Sequence, residues 1–312
     1  MNRQQFQTRL QERTLVLDGG LATELEKSGH SLNDSLWSAR LLRDAPAAIQ
    51  ATHLAFLEAG ADIITSSSYQ ATILGFTERL GISRASASKL IASSVNLAFA
   101  AREEYIGAQL STQRPLVAAG IGPLGAFLAD GSEYTGAYNA NEHELFRFHH
   151  ERWNLLRGLG PDLILCETIP KLEELRVLAK LADESEMAVA ISVNCRDAFH
   201  LSDGTPMQEC VQMLASHNIA AVGVNCVSPN LAIDAVRHLN ECTDLPLLAY
   251  PNSGEAYLAE EKTWTGESNP NNFQSTAVAL REAGCQIIGG CCRTTPSHIS
   301  AVAKLANLPK DH

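Results

Sequence analysis

A closed (β/α)8 TIM barrel of the α/β class is the fold predicted for this 312-residue chain, and three observations predict it. Eight short apolar runs each lead into a helical stretch, which implies parallel strands joined by helical crossovers. The runs are continuous rather than alternating, so both faces of each strand are buried. No linker or low-complexity break interrupts the series, and eight units within this length favour a closed barrel over an open doubly wound sheet. Residues 1–312 are therefore expected to form one domain.

The first strand, Leu15-Val16-Leu17, stops at the tight turn Asp18-Gly19-Gly20. Leu21 to Ser28 follows as a short helix closed by Gly29, and Pro46 and Gly60 bound a helix over Ala47 to Ala59. The second strand, Asp62 to Thr65, runs out into Ser66-Ser67-Ser68-Tyr69-Gln70. A long alanine-rich helix, Ala85 to Ala108, precedes the third strand, Leu116 to Gly120. The stretch from Ile121 to Asn139 reads as one long irregular, glycine-rich loop; such loops are usually functional or disordered, and this one is read as a lid. Asn141 to Leu159 is helical and leads to the fourth strand, Asp162 to Cys166, which ends at Glu167-Thr168. A helix over Lys171 to Glu184 precedes the fifth strand, Ala188 to Asn194, and a helix over Pro206 to Ser216 precedes the sixth, Ala221 to Asn225. The next helix opens at Ser228-Pro229-Asn230, and the seventh strand is Leu247 to Tyr250. Helices over Asn272 to Ala283 and Pro296 to Leu305 flank the eighth strand, Gln286 to Gly289.

Composition narrows the function. With 24 Lys and Arg against 35 Asp and Glu, the net charge of −11 argues against a nucleic-acid partner. The N-terminal residues are polar, with no apolar core for a signal peptide, and no apolar run is long enough to cross a bilayer. A cytoplasmic protein without a membrane partner is the expectation. In that reducing compartment, eight cysteines read as thiols or metal ligands rather than disulfides.

Barrel enzymes carry their chemistry where strands end and loops begin. Here the exits carry Asp18, Thr65-Ser66, Glu167, Asn194-Cys195, Asn225-Cys226 and Cys291-Cys292, so carboxylates and thiols converge on one rim. Cys291 and Cys292 are adjacent and would face opposite sides of a regular strand. Gly289 and Gly290 before them permit a turn that brings both sulfurs to one side. Taken alone, a core cysteine with an incidental neighbour is an equal reading. A third thiol at a nearby exit favours a metal site. Cys195 and Cys226 both end strands after Val-Asn, and spacing does not separate them. Alternate strands share layers in a barrel, so the common parity of strands six and eight favours Cys226.

Three thiolates suit zinc and leave its fourth position open, as in catalytic sites. Such a shell fits a substrate thiol that loses its proton at the metal and attacks a carbon electrophile, such as a methyl group. Glu167, with Asp18, is placed to hold a substrate ammonium group, although a rim salt bridge is an equal reading. Cys166 faces the helices, and Cys210, Cys242 and Cys285 read as structural. Gly120-Ile121-Gly122-Pro123-Leu124-Gly125 matches the dinucleotide pattern, but Pro123 and the missing helix speak against it. The ten histidines form no HxH or HxxxH pair.

The segments Asp18-Gly19-Gly20-Leu21-Ala22-Thr23-Glu24-Leu25, Leu36-Trp37-Ser38-Ala39, Gly60-Ala61-Asp62-Ile63-Ile64-Thr65, Cys166-Glu167-Thr168-Ile169-Pro170, Asn225-Cys226 and Gly289-Gly290-Cys291-Cys292-Arg293-Thr294-Thr295-Pro296 resemble the homocysteine S-methyltransferases nearly end to end. The resemblance implies Zn2+ held by Cys226, Cys291 and Cys292, with L-homocysteine as the methyl acceptor. It also implies Asp18 and Glu167 as the catalytic pair at the homocysteine site. Asp18, Gly19, Thr65, Ser66 and Glu167 make up the expected substrate-binding set. The chain is most similar to the branch that uses S-methylmethionine as donor. S-adenosylmethionine, betaine and a selenocysteine acceptor stay open, as does a non-catalytic zinc-binding barrel. At the second strand exit the family often has Thr-Asn or Thr-Thr before the tyrosine; this chain has Thr65-Ser66-Ser67-Ser68-Tyr69. The betaine-dependent branch carries a C-terminal extension used in oligomerisation, which this sequence does not show, so a monomer or weak dimer is expected. Tyr134 or Tyr138 in the lid is expected to face the cationic donor.

Overall fold

The computed structural model describes residues 1–108, 113–258, 263–265 and 269–306. Eight parallel strands surround a filled interior: β1 (Leu15–Val16), β2 (Ile63–Thr65), β3 (Leu116–Ile121), β4 (Leu163–Ile169), β5 (Ala188–Val193), β6 (Ala221–Asn225), β7 (Leu247–Tyr250) and β8 (Cys285–Ile288). Neighbours in sequence are neighbours in the sheet, and β8 pairs with β1. The ring closes through a parallel bridge between Leu17 and Ile63: Asp18 donates its N–H to the Ile63 carbonyl at 2.9 Å, and Asp62 donates to Val16 at 2.7 Å. A closed ring has no unpaired edge. The expected (β/α)8 barrel is the fold observed.

Strand side chains alternate between two cores, as period-two geometry requires. Leu15, Leu17, Ile63, Leu116, Leu163, Leu165, Ala190, Leu248, Tyr250 and Ile287 fill the barrel. The opposite faces pack on the helices, and Cys166, Cys210 and Cys285 lie in that outer core, as expected for structural thiols.

The polar N-terminus hides an element that the sequence reading missed. Arg3–Glu12 is a helix, opened by a capping box between Asn2 and Gln5. Its two apolar side chains, Phe6 and Leu10, are fully buried in the inner core and seal the end of the barrel away from the strand exits. Each contributes roughly 2 kcal/mol of apolar burial. The Met1 ammonium donates to the Asp162 carbonyl at 2.9 Å, and the Ala188 N–H donates to the Met1 carbonyl at 2.9 Å, so the floor is tied to the barrel wall. A second missed helix, Ile73–Leu80, starts at the Thr72 cap and ends at the left-handed Gly81.

The expected lid is not irregular. It contains the helix Leu124–Leu128 and the 3-10 turn Ser132–Tyr134. A helix therefore does open inside the glycine motif, contrary to the expectation. Its first N–H, on Leu124, donates to Glu174 at 2.8 Å, so a carboxylate occupies the place where a phosphate would bind. The fourth strand is longer than expected and runs through Glu167 to Ile169, with an irregular register between Cys166 and Ile169.

His53 lies fully buried on the helix Pro46–Glu58, and neither ring nitrogen has a hydrogen-bond partner. Burial pulls its pKa from the usual 6.5 to about 4. The unfolded chain protonates this ring near 6.5 while the folded chain resists, so stability present above 6.5 is lost as pH falls towards 4. The linkage amounts to about 3 kcal/mol at most. We expect urea denaturation midpoints of the wild type to drop across that window, and His53→Leu to flatten the drop. Equal pH slopes in the two proteins would exclude His53 as the titrating group.

Candidate active site

The thiol turn follows β8 directly. The Gly289 N–H donates to the Ala249 carbonyl at 3.1 Å, Gly290 to Asp18 at 3.0 Å and Cys291 to Pro251 at 2.8 Å. Cys292 N–H donates to Asn252 Oδ1 at 3.1 Å, and the Thr294 hydroxyl donates to the Cys291 carbonyl at 2.7 Å. The expected reason for the two glycines needs correction. Left-handed backbone is found at Arg293, with φ of 65°, and at neither glycine. The glycines allow close approach instead: a Cβ on Gly290 would come within 2.4 Å of Thr294 Oγ1, and one on Gly289 within 2.7 Å of Leu17 Cβ.

Cys226 reaches the same point by a different device. In β6 the side chain of Asn225 faces inward, so a regular continuation would send Cys226 outward. Cys226 instead adopts φ of 57°, uncommon for a residue with a Cβ. Its sulfur lies 3.5 Å from that of Cys292, and the three sulfurs of Cys226, Cys291 and Cys292 all lie within 4.8 Å of one another. Among the described residues this is the one cluster of three or more potential metal ligands. Zinc–sulfur bonds of about 2.3 Å in a tetrahedron separate sulfurs by roughly 3.8 Å, so the donor set fits that ion. Hydrogen bonds from Cys291 and Cys292 draw the Cys226 thiol well below its ordinary pKa, and the same hydrogen bonds to Cys226, then burial and its charge, push the other two up. Cys195 is elsewhere: it pairs with Leu201 in a short ribbon, is buried in the outer core, and burial pushes its thiol up to about 12.

Glu167 continues the inward series of Leu163 and Leu165, and it is the one residue of β4 that is not fully buried. Gly120 on the neighbouring strand makes room for it, since a Cβ there would stand 2.6 Å from Glu167 Oε1. Tyr250 Oη donates to Glu167 Oε2 at 3.5 Å. Burial, then the charges of Asp18 and Cys226, push the Glu167 carboxyl up to about 8. Asp18, also buried, accepts the Thr65 N–H at 2.7 Å and the Thr65 hydroxyl at 3.2 Å. Burial raises it to about 7 against those bonds. Two repelling carboxyls held near neutrality form a receptor for a cation, whose charge would lower both.

The remaining expected residues are placed as follows. The Thr65 hydroxyl is committed to Asp18. The Ser66 hydroxyl accepts the Gly120 N–H at 3.2 Å and shares a 2.7 Å hydrogen bond with Ser68, so it braces the wall between β2 and β3. A Cβ on Gly19 would meet the Phe56 ring at 2.7 Å, so this position serves packing behind the Asp18 turn. The two lid tyrosines part company. Tyr134 is 47% exposed and holds its hydroxyl 3.8 Å from Cys226 Sγ. Tyr138 is buried, hydrogen-bonded to Glu174 and packed on Lys171, so of the two it is Tyr134 that borders the thiols.

Three site residues escaped the sequence reading. Tyr250 was read only as a strand end. Asn225 was read as the neighbour of a thiol, although an amide at an inward strand position signals a buried hub. Glu133, on the 3-10 turn beside Tyr134, keeps carboxylate oxygen Oε2 shut off from water without a hydrogen-bond partner.

The comparisons agree with this geometry. The sequence profile described as homocysteine S-methyltransferase matches residues 15–306. A homocysteine S-methyltransferase of Bacillus subtilis is 43% identical over 297 residues, covering 94% of each chain. A selenocysteine Se-methyltransferase of Brassica oleracea is 42% identical, over 93% of this chain and 88% of its own. The metallated crystal structure of the Escherichia coli homocysteine methyltransferase superposes with a TM-score of 0.85 at 40% identity, covering 94% of this chain and 96% of that one. With a barrel mouth that gathers three thiols and two carboxyls, and with relatives matched over nearly their full length, the chain belongs to the homocysteine S-methyltransferase family, and it is a methyltransferase enzyme.

Proposed function

We propose that this enzyme transfers a methyl group from a sulfonium donor, S-methylmethionine, to the thiol of L-homocysteine, and that Cys226, Cys291 and Cys292 hold a zinc ion for that reaction. The observation that carries the reading is the convergence of three sulfurs within 4.8 Å beside two buried carboxyls. When bound, zinc on three thiolates supplies an open position and the positive charge that makes a substrate thiol acidic at neutral pH.

Glu167 and Asp18 hold the homocysteine ammonium by charge-assisted hydrogen bonds. Thr65 fixes Asp18 through two bonds and Tyr250 steadies Glu167, so the substrate sulfur is delivered in one orientation. The donor enters from the lid side, where the Tyr134 ring covers the thiols. In-line placement of the two sulfurs about the methyl carbon supplies much of the acceleration. Both products are methionine, which places the enzyme in methionine and amino-acid biosynthesis. Residues 1–312 act as one homocysteine-binding domain, a cytoplasmic monomer or weak dimer. No described helix is long and apolar enough to cross a membrane.

A second reading is favoured by the Brassica relative. A selenol ionises more readily than a thiol and fits the same place, so selenocysteine is the alternative acceptor.

Single replacements Cys226→Ala, Cys291→Ala and Cys292→Ala are each expected to lose bound zinc, read by elemental analysis, and methionine formation together. Cys195→Ala is expected to keep both. Loss of metal in Cys195→Ala alone would overturn the ligand set. For Glu167→Gln the expected outcome is a homocysteine KM raised by about tenfold or more at unchanged zinc content. A metal-depleted Glu167→Gln protein would make this residue a support of the thiol cluster instead.

A further inference from the structure

Three of the acids at the mouth and behind the lid have donors. Asp18 has Thr65, Glu167 has Tyr250, and Glu174 has Leu124, Tyr138 and His149. Glu133, on the turn beside the thiols, differs from these three: its Oε2 is buried and has no hydrogen-bond partner among the described residues.

Its position is fixed by the backbone. A Cβ on Gly125 would stand 2.4 Å from the Glu133 nitrogen, so the short lid helix packs directly against this residue. The turn around it is closed by the Gly136 N–H, which donates to the Ser132 carbonyl at 2.8 Å, and by the Ser132 N–H, which donates to Asp130 Oδ1 at 2.9 Å. The adjacent Tyr134 hydroxyl is 3.8 Å from Cys226 Sγ, so the turn borders the thiols. Burial raises the Glu133 carboxyl. A carboxylate in that position lacks a cation, and no Lys or Arg among the described residues pairs with it.

We propose that Glu133 is a specificity-determining residue for the methyl donor, its free carboxylate oxygen pairing with the positive sulfonium centre. This inference rests on the sulfonium reading above. It also accounts for release of the product. The methyl group leaves with its bonding pair retained by the donor sulfur, while a lone pair of the acceptor thiolate forms the new carbon–sulfur bond. The sulfonium becomes a neutral thioether and the thiolate becomes another, so one positive and one negative charge vanish together. Glu133 then faces a neutral product and loses its hold on it.

The test uses the zinc-loaded full-length enzyme with S-methylmethionine and homocysteine. Glu133→Gln preserves shape and removes the charge. The expected result is a donor KM raised by about tenfold, with homocysteine KM and zinc content changed by less than about twofold. Glu133→Asp, which keeps the charge, is expected to recover part of the donor affinity. An unchanged donor KM in Glu133→Gln would overturn the proposal, and so would equal losses for both substrates in both variants, which would mark a packing role. If the wild type transfers no methyl from S-methylmethionine, the donor reading fails and the proposal with it. If the wild type is active and Glu133→Gln matches it, the donor reading stands and Glu133 alone is excluded.

Discussion

Three sulfurs from two separate strand ends have to meet at one point, and the Asn225 amide is the interaction on which that meeting depends. Its Oδ1 accepts the Thr168 N–H at 2.8 Å and the Ser192 hydroxyl at 2.6 Å. With both lone pairs of the carbonyl taken, the amide orientation is settled, and Nδ2 faces Thr168 Oγ1 at 2.8 Å and Cys291 Sγ at 3.9 Å. One side chain thus links β4, β5, β6 and the turn after β8. Thr168, Cys226 and Arg293 all have positive φ, and each such residue costs of order 1–3 kcal/mol unless its surroundings hold it. Thr168 is held by Asn225, the carbonyl of Cys226 by Asn194 at 3.4 Å, and Arg293 by Thr23 at 2.9 Å and by Glu255 at 3.1 Å. The strain lies where the ligands are aimed, and the hydrogen bonds that offset it are the same ones that position the sulfurs.

The second constraint is charge. Asp18, Glu167, Glu133 and the three thiols share one mouth, and no Lys or Arg side chain hydrogen-bonds to the carboxyl groups among the described residues. An unpaired buried charge is expensive, so burial lets the three carboxyls hold protons above their usual range. The proposed function assigns three cations to three places: a metal to the sulfurs, an ammonium to Asp18 and Glu167, and a sulfonium to Glu133. The overall charge of −11 is a separate matter of the surface and does not create this selectivity.

Much of this was legible in the sequence because strand exits in a barrel are positions of known meaning. Apolar runs located all eight strands, and the residues just after them supplied Asp18, Glu167, Cys226, Cys291 and Cys292. The reasons were less legible than the residues. Parity favoured Cys226 over Cys195, yet the side chain that shares the inward layer is Asn225, and a left-handed residue turns Cys226 towards it. Backbone conformation of that kind leaves no mark in a cysteine codon. The floor helix was invisible for a different reason: only Phe6 and Leu10 are apolar in ten residues, and a helix that plugs a narrow barrel needs no more. The lid was misjudged because glycine and alanine carry little periodic signal, although they permit the tight contact at Gly125.

The lid itself shows how a loop can position chemistry without being loose. Glu174, fully buried on the helix Leu172–Asp183, receives Leu124 N–H from the start of the segment and the Tyr138 hydroxyl from its end. His149 lies 2.6 Å from the same carboxylate, and Arg152 donates to the carbonyls of Gly122 at 2.7 Å and Tyr69 at 3.2 Å. Both ends of the lid are therefore fastened to helices of the barrel, while its middle carries Glu133 and Tyr134 over the thiols. A methyl transfer needs donor and acceptor aligned on one carbon, and a misplacement of about 1 Å can lose two orders of magnitude in rate. A segment pinned by a buried polar network at each end meets that tolerance, whereas a freely moving loop would have to find the geometry at every turnover.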